Sequence, residues 1–211
     1  GGSTTTYGPE ITGWSTTTAL STALYLHTSV MNNGYVYIIG GTPNTSVSNI
    51  VYYAKINNDG SIGSWSTTSS LSTAVAGHTS VVYNGYVYTI GGMTSMSPLA
   101  VTNTVQYAKI NSDGTLGTWS TTSSLSTAVA THTSVVYNGY IYAISGSLTG
   151  GNSFTNIVQY AKINSDGTLG AWSTTTSLST AIGGHSSIVN NGYVYIIGGS
   201  TSSSVLNTVY Y

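Results

Sequence analysis

The stretch HTSVVYNGYVYTIGG at His78–Gly92 decides the fold, together with NTVQYAKINSDGTLGTWSTTSSLSTAVAT at Asn103–Thr131. Modified copies of this pair of segments fill the chain. The tryptophan recurs as Trp14, Trp65, Trp119 and Trp172, at spacings of 51, 54 and 53 residues, and a histidine follows each one 13 residues later. A period near 50 residues is typical of arrays in which each repeat is one structural unit. We therefore expect one domain over residues 1–211, built from four similar units.

Each unit has the pattern of a four-stranded antiparallel sheet. In the second copy, His78–Tyr83 and Tyr86–Ile90 are rich in residues that favour strands, and they are joined by Asn84-Gly85, a strong hairpin signal. Val105–Ile110 predicts a third strand and Thr118–Thr122 a fourth. In the third copy, Ser145 replaces the first residue of the double glycine. This replacement predicts that a positive φ is not needed there in every unit.

The repeat resembles the kelch repeat. The resemblance covers nearly the whole chain and rests on apolar residues before Gly-Gly, then a spaced tyrosine, then a tryptophan. The spaced tyrosines are Tyr53, Tyr107 and Tyr160. The resemblance implies an all-β, four-bladed β-propeller in which each unit is one blade. Kelch proteins include enzymes, adhesins and adaptor modules, so the resemblance does not choose a function.

The two ends of the chain complement each other. Asn207–Tyr211 matches the start of a third strand, and Trp14 marks a fourth strand. We expect the N-terminal strand to complete the C-terminal blade and close the ring, which removes open sheet edges. The alternative is donation to a neighbouring molecule. An extended arm at Gly1–Glu10 would place Thr4, Thr5, Thr6 and Tyr7 between subunits, and head-to-tail donation would build a fibre.

The composition excludes several functions. Only 3% of the residues are charged and the net charge is −1, against roughly 25% charged residues in ordinary domains. Three lysines and no arginine exclude a phosphate-binding surface for nucleic acid. No apolar run approaches the ~20 residues of a membrane span. A surface of Ser, Thr, Asn and Tyr favours an extracellular, secreted protein. Such a surface also favours self-association, because a net charge near zero gives little repulsion.

The variable segment after each Gly-Gly marks a candidate binding face. Repeat proteins concentrate length variation on their contact face. We expect these segments to be loops on the same face as the entry to each first strand. Five apolar residues lie in the candidate binding segments: Met93, Met96, Leu99, Leu148 and Phe154. They either contact a partner or cover the ends of the blades.

The four histidines form a second candidate site. His27, His78, His132 and His185 each begin an innermost strand, so a propeller would place them around its axis. Four neutral imidazoles around an axis are candidate ligands for a transition metal. The favoured interpretation is structural, with each imidazole bonded to a neighbouring loop. We expect no cofactor.

The sequence predicts no enzyme. Asp59, Asp113 and Asp166 lie in turns on the face opposite the histidines, so Asp and His cannot form a catalytic triad. Each Asp fits a turn in which its side chain bonds to the backbone. The paired tyrosines of each second strand, such as Tyr86 and Tyr88, fit packing between blades.

Two functional hypotheses remain open. The first is a secreted structural protein that self-assembles, with filaments as one form. The second is a kelch-type adhesin or lectin module that binds glycans or proteins through the variable-segment face.

Overall fold

The computed structural model describes residues 13–211. These residues form strands and turns, and none of them belongs to a helix that could cross a membrane. The first sheet contains β1 (Thr28–Asn32), β2 (Tyr35–Ile39), β3 (Val51–Lys55) and β4 (Ser66–Thr67). The second contains β5 (Thr79–Tyr83), β6 (Tyr86–Ile90), β9 (Val105–Lys109) and β10 (Ser120–Thr122). Between β6 and β9, β7 (Met93–Met96) and β8 (Leu99–Val101) form a separate two-stranded sheet.

The last two sheets complete the set. The third contains β11 (Thr133–Tyr137), β12 (Tyr140–Ser147), β13 (Phe154–Lys162) and β14 (Ser173–Thr175). The fourth contains β15 (Ser186–Asn190), β16 (Tyr193–Ile197) and β17 (Val209–Tyr210). The four antiparallel sheets form a ring like the blades of a four-bladed propeller, which confirms the predicted arrangement at this level. In the described residues the fourth blade has three strands, and closure by an N-terminal strand is not seen.

The hairpins form where the sequence predicted them. Asn33, Asn84, Asn138 and Asn191 have φ between 46° and 49°. The glycine after each one also has a positive φ, as the tight two-residue turn requires. In the second blade, β6 has the predicted bounds and the other three strands are shorter than predicted by one or two residues.

The hydrophobic core lies between the blades. Three apolar clusters fill the spaces between blades one and two, two and three, and three and four. Each cluster combines β-branched side chains of the strands with the inner tyrosine of a second strand. Tyr37 and Tyr88 are fully buried in this way. Stability therefore depends on contact between neighbouring blades, as expected for a repeat array.

Candidate functional site

Adjacent blades are connected by contacts that repeat around the ring. We call each set of contacts a joint: the first joint links blades one and two, the second links blades two and three, and the third links blades three and four. These contacts determine which surfaces of the molecule remain free.

A threonine and a histidine connect the innermost strands at every one of these joints. Threonine Oγ1 lies 2.9–3.0 Å from Nε2 of a histidine in the next blade. The pairs are Thr28–His78, Thr79–His132 and Thr133–His185. In the first two joints the threonine Oγ1 also lies 2.6 Å from a serine Oγ, that of Ser80 or Ser134.

These imidazoles are neutral. His78 and His132 are buried, and their Nδ1 atoms have no hydrogen-bond partner among the described residues. Burial, and to a smaller extent the neighbouring histidines, lowers the pKa of each to about 3. A neutral imidazole has one N–H group. Because Nε2 is the nitrogen with a partner, we place the hydrogen there, so that Nε2–H donates to the threonine hydroxyl.

The structure does not bring the histidines together as a metal site. His78, His132 and His185 each lie at a different joint, and His27 lies on the free side of the first blade. Within residues 13–211, no three His, Asp or Glu side chains are placed to hold one metal ion.

Backbone hydrogen bonds follow the same ring. The residue before each histidine has a positive φ, between 51° and 62°, in Leu26, Gly77, Thr131 and Gly184. Their amides connect successive blades: Gly77 N–H donates to Leu26 O at 2.8 Å, Thr131 to Gly77 at 2.8 Å, and Gly184 to Thr131 at 3.0 Å. Sequence reasoning missed these four positions because their residue types differ. The histidine that directly follows each of them is the same in all four copies, and it was the sequence signal that could have located these positions.

The double glycine brings two blades into close contact. The second glycine donates its N–H to a carbonyl at the entry to the next blade. These bonds run from Gly41 to Val75, from Gly92 to Val129 and from Gly146 to Ile182, at 2.8, 2.8 and 2.9 Å. The first glycine lies so close to the same carbonyl that a Cβ on Gly91 would be 2.5 Å from Val129 O.

The prediction about Ser145 was wrong. Ser145 has φ 58°, which matches the 58° of Gly91, so the left-handed backbone is kept where glycine is absent. Its hydroxyl lies 2.6 Å from Thr155 O and 2.7 Å from Ile182 O, so its one hydrogen is shared between these two carbonyls. These bonds account for a serine at a position that otherwise favours glycine.

At two joints, a tyrosine of the second strand bonds to a turn of the next blade. Tyr37 donates its hydroxyl to Gly114 O and Tyr88 donates to Gly167 O, each at 2.8 Å. The preceding tyrosines, Tyr35 and Tyr86, cover the same two glycines. The predicted packing of the tyrosine pairs against the adjacent blade is therefore confirmed at two joints.

Three tryptophans form hydrogen bonds with backbone carbonyls at the outer edge of the blades. Trp119 Nε1–H donates to Ser69 O and Trp172 donates to Ser123 O, at 2.9 and 2.8 Å. Trp65 makes the equivalent bond to Thr18 O at 2.9 Å. Trp14 differs from the other three, because it is 90% exposed.

The fourth blade and the first blade are not joined. Across residues 13–211, no hydrogen bond links these two blades. Apolar side chains that are covered in the other joints remain open, with Ile188 54% exposed on the fourth blade and Met31 67% exposed on the first. We call this pair of faces the open joint.

A cavity of about 340 Å³ lies on the axis of the ring. All four innermost strands contribute to it. The lining residues are Thr28, Ser29, Thr79, Ser80, Thr133, Ser134, His185, Ser186 and Ser187. The lining side chains are serines, threonines and one histidine, so the cavity is lined by hydroxyl groups, an imidazole and their carbon atoms, and carries no formal charge.

The variable segments lie on the predicted face, and two of the four differ in form from the predicted loops. Each pairs with the entry to its first strand, as in the bridge between Ala76 and Met93. The second blade's segment is the β7–β8 hairpin, and part of the third blade's segment extends β12 and β13. Met93 is buried, Met96 and Phe154 are half-buried, and Leu99 and Leu148 are exposed. A cavity of about 520 Å³ adjoins Phe154.

Thr4, Thr5, Thr6 and Tyr7 of the expected arm lie outside the described residues. The aspartates form the predicted turns, in which Thr115 N–H and its hydroxyl bond to Asp113. These bonds lower the pKa of the Asp113 carboxyl below its ordinary value.

The comparisons identify the fold. The structure is similar to the solved structure of YjhT, a kelch-repeat propeller protein, with a TM-score of 0.70 and 18% sequence identity. The match covers 83% of this chain and 59% of the YjhT chain, so this chain spans less than two thirds of that structure. No protein-family model matches the chain, and no curated protein matches it. The chain has a propeller arrangement similar to that of a kelch-repeat protein.

Proposed function

We propose that this chain is a non-enzymatic, secreted structural protein of the kelch-like type that assembles with itself. The observation that carries the proposal is the open joint. Its two faces lie on the first and fourth blades of one molecule, and both leave apolar side chains in water. Covering such surface is favourable by about 25 cal/mol per Å².

The charge of the molecule favours the same function. The net charge is −1, and the chain has only three lysines, no arginine and four acidic residues. Surfaces of this kind do not repel one another, so molecules approach without an electrostatic barrier. Hydroxyl and amide groups supply the solvation that charges give in other proteins.

The N-terminal strand is part of this proposal. Thr17 and Thr18 contact Ile62 on the outside of the first blade, with a bond of 2.8 Å from Ile62 N–H to Thr17 Oγ1. At the first joint, Leu116 N–H donates to Thr68 Oγ1 in the same way, at 2.8 Å. The residues before Thr68 form β4, a fourth strand. By analogy, Trp14 and its neighbours form the fourth strand of the blade that precedes the first one.

The arm at Gly1–Glu10 extends this contact. In the assembled state, Trp14 and its neighbours complete the fourth blade of another copy. Thr4–Tyr7 extends along that same blade and forms backbone hydrogen bonds with it. Deleting Gly1–Glu10 should therefore weaken assembly and leave the folded monomer intact. Unchanged assembly after this deletion would remove the arm from the proposal.

The distribution of reactive groups supports a role without catalysis. The aspartates lie in turns at one end of the blades. The buried histidines lie at the other end and are engaged in joints. Neither group leaves an acid and a base next to one another in a cleft, which is the arrangement that general acid–base catalysis needs.

Electron microscopy of the undiluted protein tests the proposal. We expect filaments or rings whose smallest repeat matches one copy of the chain. Discrete single propellers at all concentrations would contradict the structural role.

A second function has its own supporting observation. Leu99 and Leu148 are exposed in the variable segments of the second and third blades, and the cavity at Phe154 is lined by residues of the third and fourth blades. This surface favours binding of a glycan or a protein, as in an adhesin or lectin. A glycan array probed with the wild type and with the double variant Leu99→Ser, Leu148→Ser tests it. Binding that the variant loses would support this function, and a blank array with wild type would count against glycans.

A further inference from the structure

We infer that the open joint accepts a second copy of this chain, head to tail, through a fixed set of contacts that repeat those of the three formed joints. The inference rests on the proposed function and names its partner and its bonding pattern. The fourth blade of one copy takes the place that the preceding blade has at each formed joint. The first blade of the next copy takes the place of the following blade.

The innermost contact pairs a hydroxyl with an imidazole. At the formed joints this hydroxyl belongs to the residue directly after the histidine, as in Thr133 with His185. The corresponding hydroxyl on the fourth blade is that of Ser186, which is exposed. The corresponding imidazole on the first blade is His27, and its Nδ1 is buried without a partner like that of the other histidines. Ser186 of one copy therefore meets His27 Nε2 of the next.

The contact between a tyrosine hydroxyl and a glycine carbonyl also has both of its groups available at the open joint. Tyr195 corresponds to Tyr37 and Tyr88, which donate to Gly114 and Gly167. The matching glycine on the first blade is Gly60. Its backbone has φ 84°, like the 83° of Gly114, but no atom lies within 4 Å of a Cβ placed on it. A Cβ placed on Gly114, in contrast, would lie 2.5 Å from the ring of Tyr35. Gly60 is thus an unoccupied acceptor of the correct shape.

Two backbone bonds complete the inner part of the joint. Gly199 corresponds to Gly146, whose N–H donates to Ile182 O, so its acceptor in the next copy is the carbonyl of Leu24. Gly184 O corresponds to Gly77 O, which accepts from Thr131 N–H. The donor for Gly184 is therefore Leu26 N–H of the next copy, and Leu26 already has the required positive φ of 55°.

The outer part of the joint is a strand pairing with a defined register. In the second blade Ser120 lies opposite Tyr107, Thr121 opposite Gln106 and Thr122 opposite Val105. The same positions in the repeat are residues 15–17 and residues 209–211. Ser15 of one copy therefore lies opposite Tyr211 of the other, on the free edge of β17. Tyr211 and Trp14 are 87% and 90% exposed in the single chain, and this pairing covers both.

A second copy is the occupant because, within residues 13–211, one chain makes none of these contacts between its own first and fourth blades. Each hydrogen-bonding group named above on the fourth blade has its partner on the first blade of the same sequence, and the faces carry no charges that would oppose contact. Such a contact is heterologous, so repeated addition gives a closed ring or an open fibre.

Cysteine cross-linking tests this joint without background, because the chain has no cysteine. Ser15→Cys and Tyr211→Cys are prepared as separate proteins, mixed in equal amounts and oxidised mildly. Opposed residues on paired strands come close enough for a disulfide. The control mixes Ser15→Cys with Val205→Cys, since Val205 is also 87% exposed but is not opposite residue 15. The mass of each mixture is measured by light scattering before oxidation.

We expect the Ser15–Tyr211 mixture to yield the mixed disulfide dimer at least tenfold more than the control mixture. Equal yields from both mixtures would overturn the inference. It would also be overturned if the chain carrying both cysteines formed only an internal disulfide. Assemblies that scatter light but do not cross-link at this pair would refute the joint and leave the proposed function standing. A mass of one chain before oxidation, at every concentration, would refute the proposed function itself.

Discussion

Glycine is required at single positions by close approach as well as by backbone angle. Gly91 and Gly60 both have a positive φ, of 58° and 84°. A Cβ on Gly91 would lie 2.5 Å from Val129 O, whereas a Cβ on Gly60 would meet nothing within 4 Å. The two positions therefore separate the cost of the backbone angle from the cost of a clash between blades.

We predict that Gly91→Ala lowers the free energy of unfolding more than Gly60→Ala does. The left-handed angle costs roughly 1 kcal/mol at each site. The clash at the second joint adds about 1–3 kcal/mol, the usual cost of overpacking. Urea unfolding of dilute protein measures both variants. Equal losses would show that the close approach at Gly91 does not constrain the joint.

The buried histidines make stability depend on pH. The folded-state pKa of His78 and His132 is about 3 and that of His185 about 4, below the ordinary value of about 6.5. The unfolded chain thus binds protons that the folded chain excludes. Stability is complete above about pH 6.5 and decreases as the pH falls towards 3, by about 1.4 kcal/mol per pH unit for each histidine.

Urea unfolding at several pH values between 7.5 and 4.5 checks this prediction. His132→Gln is the matched variant, because it removes one of the three titrating groups. We expect its stability to change less steeply with pH, by about a third. A wild-type stability that is constant between pH 7 and pH 5 would mean that the imidazoles titrate normally in the folded protein.

At the scale of elements, the sequence predicted the strands where local chemistry is strong. Asn84-Gly85 has the angles of a tight hairpin turn, and the strand on its far side, β6, has the predicted bounds. The β7–β8 hairpin was not predicted, because Met93–Val101 does not repeat in the other blades and has weak strand propensity. It forms where Met93 pairs with Ala76, a tertiary contact that no local pattern records.

The candidate sites were predictable to different degrees. The histidines were correctly placed at the start of the innermost strands, since the repeat fixes their position. Their hydroxyl partners were not predicted, because Thr28 and His78 lie 50 residues apart in different blades. Predicting that pair requires knowing which blades are neighbours.

We predict that Trp119→Phe destabilises the folded chain by about 2 kcal/mol. Trp119 is 4% exposed and donates to Ser69 O, so the change removes buried contacts and leaves the carbonyl without its donor. Trp14→Phe is the control, since Trp14 is 90% exposed and its replacement should alter stability by less than about 0.5 kcal/mol. Thermal unfolding of dilute protein measures both. Similar effects would mean that Trp14 is packed in the monomer.

At the scale of the whole molecule, one position of the repeat has two roles, because it lies at a formed joint in one blade and at the open joint in another. Tyr88 donates to Gly167 within the chain, whereas Tyr195 faces the open joint. We predict that Tyr88→Phe lowers the stability of the monomer by about 1 kcal/mol and leaves association unchanged. Tyr195→Phe should leave unfolding unchanged and raise the concentration needed for assembly about fivefold. If Tyr195→Phe instead destabilised the monomer, the fourth blade would be joined to the first within one chain.

The mass of the protein in solution, measured by light scattering over a range of concentrations, is the most direct test of self-assembly. Self-assembly predicts a mass that rises with concentration in steps of 21.8 kDa, the mass of one chain. A mass of 21.8 kDa that stays constant up to the solubility limit would contradict it.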